Sequence, residues 1–142
     1  MPSINKSALV PYSAKQMYDL VNDVAAYQSF LPGCKTSNVL LENETSMQAE
    51  MILSKANFEQ RLVTENTLIP GRSIDMNLLE GPFDTFSGIW IFTPLSDEAC
   101  KIELNMAFTF SNMLVDMAFG KLFKSITSNM VKAFTQRAKE VY

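Results

Sequence analysis

Through the middle of the chain, apolar side chains recur at every second position. Met47, Ala49, Met51 and Leu53 form one such run, and Ile74, Met76 and Leu78 form another around Asp75 and Asn77. Phe86, Gly88, Trp90 and Phe92 fall on one side of the next segment. The longest run is Cys100, Ile102, Leu104, Met106, Phe108 and Phe110, interleaved with Lys101, Glu103, Asn105, Ala107 and Thr109. A period of two belongs to a β-strand, whose side chains point to opposite faces in turn. Repeated in this way, it predicts an antiparallel sheet that is dry on one face and wet on the other. The runs are punctuated by "NET" near 43, "PGR" at 70, "EGP" at 80 and "PLSDE" at 94, where turns are expected.

The two ends follow other rules. Ser3 to Val10 reads as an edge strand. Ser13 and Gln16 stand at the spacing of a capping box, with Tyr12 and Met17 as its hydrophobic staple, so a helix is expected from Ala14 to about Val21. A second short helix restarts at Asn22 or Asp23. It stops before Pro32, because the residue preceding a proline is pushed out of the α region, and Gly33 allows the chain to turn. Beyond Ser111 the spacing becomes helical, through Val115, Phe119, Leu122, Ile126, Met130, Ala133 or Phe134, and Val141. Ser111 or Asn112 is the expected N-cap, and Asp116 lies near the positive end of the helix. A helix of about thirty residues would be about 45 Å long, enough to cross seven strands spaced about 4.8 Å apart. The order of elements predicts one α+β domain over residues 1–142. Its curved antiparallel sheet of about seven strands wraps on a long C-terminal helix, with two short helices after the first strand.

Ten phenylalanines and nine methionines stand in a chain of 142 residues. Large rings and flexible thioethers can line a cavity for a long hydrophobic molecule, or simply fill a core. Phe30 and Leu31, at the end of the second helix, and Phe83, in "GPF", are expected near a cavity mouth. Gln60, Thr64 and Asn66 share a face with Phe58 and Leu62, where they can bond a ligand head group or each other.

Candidate chemistry is sparse. The chain has no histidine, which removes Ser-His-Asp and Cys-His catalysis and histidine metal centres. A reactive thiolate at Cys34 needs a base, a cation or a helix N-terminus beside it. Only Lys35 is adjacent, and on a strand it points to the other face. Cys100 opens an apolar face, and the two cysteines form no C-x-x-C pattern, which suits a reducing compartment. Asp75, Glu103 and Glu50 fall on polar faces, and Asp84 and Glu80 lie by turns, so no buried pair of carboxylates is expected. Binding without catalysis is the expected activity. The longest apolar run, "SGIWIFTPL", is far short of the roughly 20 residues that span a bilayer, and the start shows no leader pattern, so a cytoplasmic location is expected.

Charge alters one part of this picture. The net charge is −3, yet from Asn112 onward five bases stand against two acids. A basic helix on an acidic body can meet an anionic surface, or serve only as a solvated face. Without a Gly-rich phosphate loop or an Arg-rich tract, DNA is not an expected partner.

Three separated segments carry a resemblance. "VNDVAAYQSFLPGC", "LLEGPFDTFSGIWIF" and "FSNMLVDMAFGKLF" with "MVKAFTQRAKEVY" resemble, in order, the bacterial members of the coenzyme-Q-binding START-domain family. That family is related to the polyketide cyclases and has a ribosome-association toxin branch. The resemblance implies a helix-grip (START/Bet v 1-like) fold. It also implies one of two functions. The first is non-catalytic binding of ubiquinone or a similar lipid, in support of respiratory electron transfer and with peripheral contact to the inner membrane. No covalently bound cofactor is then involved, and the cavity lies between the sheet and the C-terminal helix. Its expected lining is Tyr27, Phe30, Leu31, Pro32, Phe83, Phe86, Trp90, Met106, Phe108, Phe119 and Phe123. The second is binding to the large ribosomal subunit so that subunit association is blocked. Lys121, Lys124 and Lys132 are its candidate contacts.

Overall fold

Seven strands form one antiparallel sheet in the computed structural model of the chain, which describes residues 3–55 and 58–142. They are β1 (Ser3–Val10), β2 (Cys34–Glu42), β3 (Ser46–Lys55), β4 (Phe58–Ile69), β5 (Ser73–Glu80), β6 (Phe83–Ser96) and β7 (Ala99–Phe110). Their order across the sheet is β1-β7-β6-β5-β4-β3-β2. Strands β2 to β7 therefore follow one another as a meander, and β1 closes the far side against β7. The turns have local causes. The Asn43 carboxamide oxygen accepts from the backbone N–H groups of Thr45 and Ser46, at 2.9 and 3.0 Å, and an Asx turn of this kind reverses the chain between β2 and β3. The turn expected within "PLSDE" falls on its last two residues, Asp97–Glu98. Strand β6 runs through Pro94, where a register shift accommodates the missing N–H.

Helix α1 (Ala14–Asn22) opens with the expected capping box. Ser13 Oγ accepts from Gln16 N at 3.0 Å, and Gln16 Oε1 accepts from Ser13 N at 2.9 Å. The second short helix is instead a 3₁₀ turn, Val24–Ser29. Asp23 (φ −83°, ψ 71°) separates it from α1, and a run this short fits the tighter geometry.

The C-terminal region corrects the expectation of one continuous helix. It consists of α2 (Met113–Val115), a π-helical turn (Asp116–Gly120), α3 (Lys121–Ser128) and α4 (Met130–Val141). Asn112 is the cap, its side chain accepting from Val115 N at 2.9 Å. At Asn129 (φ −101°, ψ 1°) the side-chain amide donates to Ser125 O at 2.8 Å, a local bond that competes with the helical ladder. The π turn inserts a residue into the helical spacing. The fully buried ring after Phe119 is accordingly Phe123, while Leu122 is half-buried; Met113, Leu114 and Met117 stay exposed. Val141, expected on the apolar face, is also exposed.

The core lies between the sheet and helices α1, α3 and α4. Its aromatic rings form two groups. Around Phe123, the rings of Phe83 and Phe108 both stand 4.9 Å away between centroids, with Phe86, Phe110 and Phe119 beyond. Around Phe134 stand Tyr27 (5.1 Å), Phe30 (5.3 Å) and Trp90 (5.4 Å). Most of these contacts are edge-on, the arrangement favoured by the ring quadrupole. Thr64 and Asn66 do face inward and satisfy each other, Thr64 Oγ1 donating to Asn66 Oδ1 at 2.9 Å. Gln60 is only half-buried and donates to the Arg61 carbonyl.

Candidate functional site

The segment Ser29–Gly33 crosses from the 3₁₀ turn to β2 and sets one wall of a groove. It is tied down at both ends. Leu31 N donates to Tyr27 O at 2.8 Å, and Ser54 N donates to Gly33 O at 2.8 Å. Gly33 has φ +87°, a left-handed conformation that glycine adopts without strain. Its missing side chain also matters, because a Cβ there would stand 2.6 Å from Ile126 Cδ1. The segment consequently packs directly onto α3. The opposite wall comes from α3 and α4, on which Lys121, Ser125, Asn129, Lys132, Gln136 and Glu140 form a polar stripe at three- and four-residue steps.

The resulting groove has a volume of about 780 Å³. Its floor is apolar, made by Phe30, Leu31, Leu122, Ile126 and Ala133, and its rim carries Lys55, Lys121, Lys132 and Arg137. The Arg137 guanidinium lies over the Phe30 ring, 5.1 Å from its centroid, and reaches Glu140 at 3.8 Å. Among the described residues, no ion pair engages Lys55, Lys121 or Lys132. A second groove, of about 380 Å³, runs between β1 and the other flank of α4, past Lys6, Lys132, Thr135, Gln136 and Lys139. Lys132 and Gln136 line both grooves, so they mark the ridge between them.

The residues expected to line one cavity are thus divided. Phe30, Leu31 and Pro32 reach the first groove. Tyr27 lies behind them, buried, its phenol donating to the Val21 carbonyl. Phe83, Trp90, Phe108, Phe119 and Phe123 are buried in the two ring clusters, Phe86 lies half-buried beside them, and none of the six lines either groove. Met106 is buried in the core on β7 and lines neither groove; it borders a separate hollow with Asn105 and Ala107. Lys121 and Lys132 share the first groove. Lys124 points elsewhere, 3.9 Å from Asp116 and over the Phe110 ring at 5.9 Å. The polar stripe beside Leu122, Ile126 and Ala133 was present in the helical spacing and marks Arg137 and Gln136 as groove residues. Lys55 and Lys6 are brought in only by tertiary structure.

The groove holds little that can move a proton. Burial pushes the Cys34 thiol above its ordinary range, with a bond to Ser37 opposing the shift, and burial alone raises Cys100. Both thiols are therefore held away from the reactive thiolate. Outside the groove, the outer face of the sheet carries a charge ladder in which Arg61 bonds Glu50 at 2.6 Å and also meets Glu80. The Arg61 guanidinium and Asn38 hold the Glu50 carboxyl below its usual range. Among the described residues, no cluster of acids and cysteines is arranged to hold a metal ion, and no helix is long and apolar enough to cross a membrane.

Residues 10–135 match the family described as polyketide cyclase/dehydrase and lipid transport. A relative from Vibrio cholerae, named ribosome association toxin RatA, is 53% identical over 142 residues, covering 100% of this chain and 99% of its own length. A Xenopus laevis protein, named coenzyme Q-binding protein COQ10 homolog B, mitochondrial, is 29% identical over 97% of this chain and 58% of its own length. Among solved structures, the ZhuI aromatase/cyclase from Streptomyces sp. R1128 superposes with a TM-score of 0.81 at 17% identity, covering 98% of this chain and 94% of that one. The last of these speaks for the fold alone, which is the helix-grip arrangement expected from the sequence. With nearly its whole length matched, this chain belongs to the polyketide cyclase/dehydrase and lipid transport family.

Proposed function

We propose that this chain is a cytoplasmic, ribosome-associating regulator of translation that acts by binding. The observation that carries this reading is the 53% identity, over the whole chain, to a protein named as a ribosome association toxin. The surface supports it. A ribosome presents a dense field of phosphate charge. Among the described residues the lysines along both flanks of α4, Lys55, Lys121 and Lys132 on one and Lys6 and Lys139 on the other, make no ion pair. The interior supports it as well, because close-packed rings occupy the space between sheet and helix where a long ligand would lie. A binding role without catalysis fits a groove in which, among the described residues, the one lining carboxylate, Glu140, is engaged by Arg137. The test is sedimentation of purified protein with separated and joined ribosomal subunits. Co-sedimentation with the large subunit, and a fall in joined particles as protein is added, is the expected result. Protein that stays at the top of the gradient at low salt would overturn the reading.

A second reading has its own support. The apolar floor of Phe30, Leu31, Leu122 and Ile126 suits the tail or ring of a hydrophobic molecule, and the Xenopus relative is named for coenzyme Q binding. Under this reading, solvent extraction of protein purified from its native cells yields a quinone or lipid near one equivalent by mass spectrometry. Apolar binding should also persist as salt rises, whereas phosphate contacts weaken steeply.

A further inference from the structure

We infer that the α4 ridge and its two flanking grooves form a seat for double-helical RNA. This inference rests on the ribosome reading and names the component of the ribosome that is held. Six cations converge here: Lys55, Lys121, Lys132 and Arg137 along the first groove, and Lys6 and Lys139 along the second. Among the described residues, Glu140 is the only acid lining either groove. Half of the chain's 12 basic residues therefore stand on this face with one of its 15 acids, while the chain as a whole carries −3. A polyanion meets one strongly favourable face on a body that repels it elsewhere, which orients the encounter.

Shape selects the kind of polyanion. A helix with its side chains is about 10–12 Å across, so the two grooves run on either side of a ridge of that width. Helix α4 is half sunk against the sheet through Val131, Phe134 and Ala138, and so projects little. It cannot penetrate the deep major groove of B-form DNA as a free recognition helix does. A wide, shallow minor groove, such as A-form RNA presents, can instead lie over it with one phosphate strand along each flank. Gln136 on the ridge, with Ser128 and Asn129 beside it, places donors and acceptors where 2′-hydroxyls would fall.

The test uses the full chain, a short blunt RNA duplex of arbitrary sequence, and purified large ribosomal subunits. The triple charge reversal Lys121→Glu, Lys132→Glu, Lys139→Glu removes cations from both grooves at exposed positions that make no ion pair among the described residues. Lys124→Glu changes charge on α3, the helix that carries Lys121, but outside both grooves, and serves as the control. With about four phosphates neutralised, affinity of the unaltered chain for the duplex should fall about 100-fold between about 50 and 200 mM salt. The triple variant should lose at least about 100-fold in affinity for the duplex at low salt and cease to sediment with the large subunit, while Lys124→Glu keeps both. A triple variant that still sediments normally would overturn the RNA seat and leave the ribosome reading standing. Unaltered protein that binds the duplex through this face, yet never sediments with ribosomes, would uphold the seat and overturn that reading. Binding to anionic vesicles in preference to the duplex would overturn the seat in favour of a membrane.

Discussion

Replacing Gly33 by alanine tests how closely the Ser29–Gly33 segment is pressed onto α3. Two costs arise at one atom. An alanine held at φ +87° sits in the left-handed region, at about 1–2 kcal/mol. Its Cβ would also lie 2.6 Å from Ile126 Cδ1 and 2.8 Å from Cγ1. The Cδ1 methyl can swing aside about χ2, but χ1 of a β-branched residue in a helix is nearly fixed, so Cγ1 cannot. Nor can the backbone withdraw easily, since Gly33 O is bonded to Ser54 N. Overpacking of this kind costs about 1–3 kcal/mol, giving about 2–5 kcal/mol in total with the backbone strain. For a domain of this size that is a fall of roughly 6–15 °C in Tm. Urea unfolding followed by the fluorescence of the buried Trp90 gives the free energy directly. The decisive comparison repeats the substitution in an Ile126→Ala background. There the steric part vanishes and only about 1–2 kcal/mol of backbone strain should remain. Equal costs in the two backgrounds, or a Gly33→Ala variant within about 0.5 kcal/mol of the starting protein, would refute the reasoning.

Two further outcomes are expected. Phe123→Ala should cost about 3–5 kcal/mol, because its ring touches both Phe83 and Phe108, yet RNA affinity at equal folded concentration should not change. Tyr27→Phe removes the phenol bond to the Val21 carbonyl and should cost about 1 kcal/mol near neutral pH. Burial holds the Tyr27 proton more tightly in the folded chain than in the unfolded one. Above the unfolded value of about 10, the unfolded state releases its proton first and stability declines as pH rises. The variant should therefore show a shallower alkaline loss of stability, read from urea midpoints between about pH 9 and 11.5; an unchanged slope would count against the burial of that phenol.

Strand identity was legible because alternation is a direct image of the pleat. The even-numbered run from Cys100 to Phe108 is buried throughout, as its spacing demanded. The capping box at Ser13 and Gln16 was legible for a similar reason, its two bonds spanning only three residues. The break in the C-terminal helix was not. Asn129 is compatible with a helix interior, and nothing in the spacing marks the π turn at Asp116–Gly120, whose flanking rings Phe119 and Phe123 both lie in the buried cluster. The site was partly legible. The lysines could be counted, but which of them reach a groove depends on where the Ser29–Gly33 segment and β1 pack against the helices, which is tertiary information. Lys124, on the same helix as Lys121, falls outside both grooves and meets Asp116 instead. The rings assigned to a cavity show the other limit: composition supplies large side chains, and only packing decides whether they surround space or fill it.

The two free edges of the sheet are protected unequally. Strand β1 is flanked by α4, whereas the first half of β2 is covered by the 3₁₀ turn, through reciprocal bonds of 3.1 Å between Gln28 and Ser37. The second half of β2 lies open and carries Leu40 and Leu41, both exposed. On the facing strand, Val39 stands opposite Ala49 and Leu41 opposite Gln48, so Leu40 is an extra residue that bulges the ladder. A bulge bends the strand and exaggerates its twist, so its unused N–H and C=O groups no longer form a straight row. This apolar stretch of the edge is thereby made a poor template for intermolecular β-pairing. One additional residue lets an apolar rim remain in water without recruiting a second copy into a growing sheet.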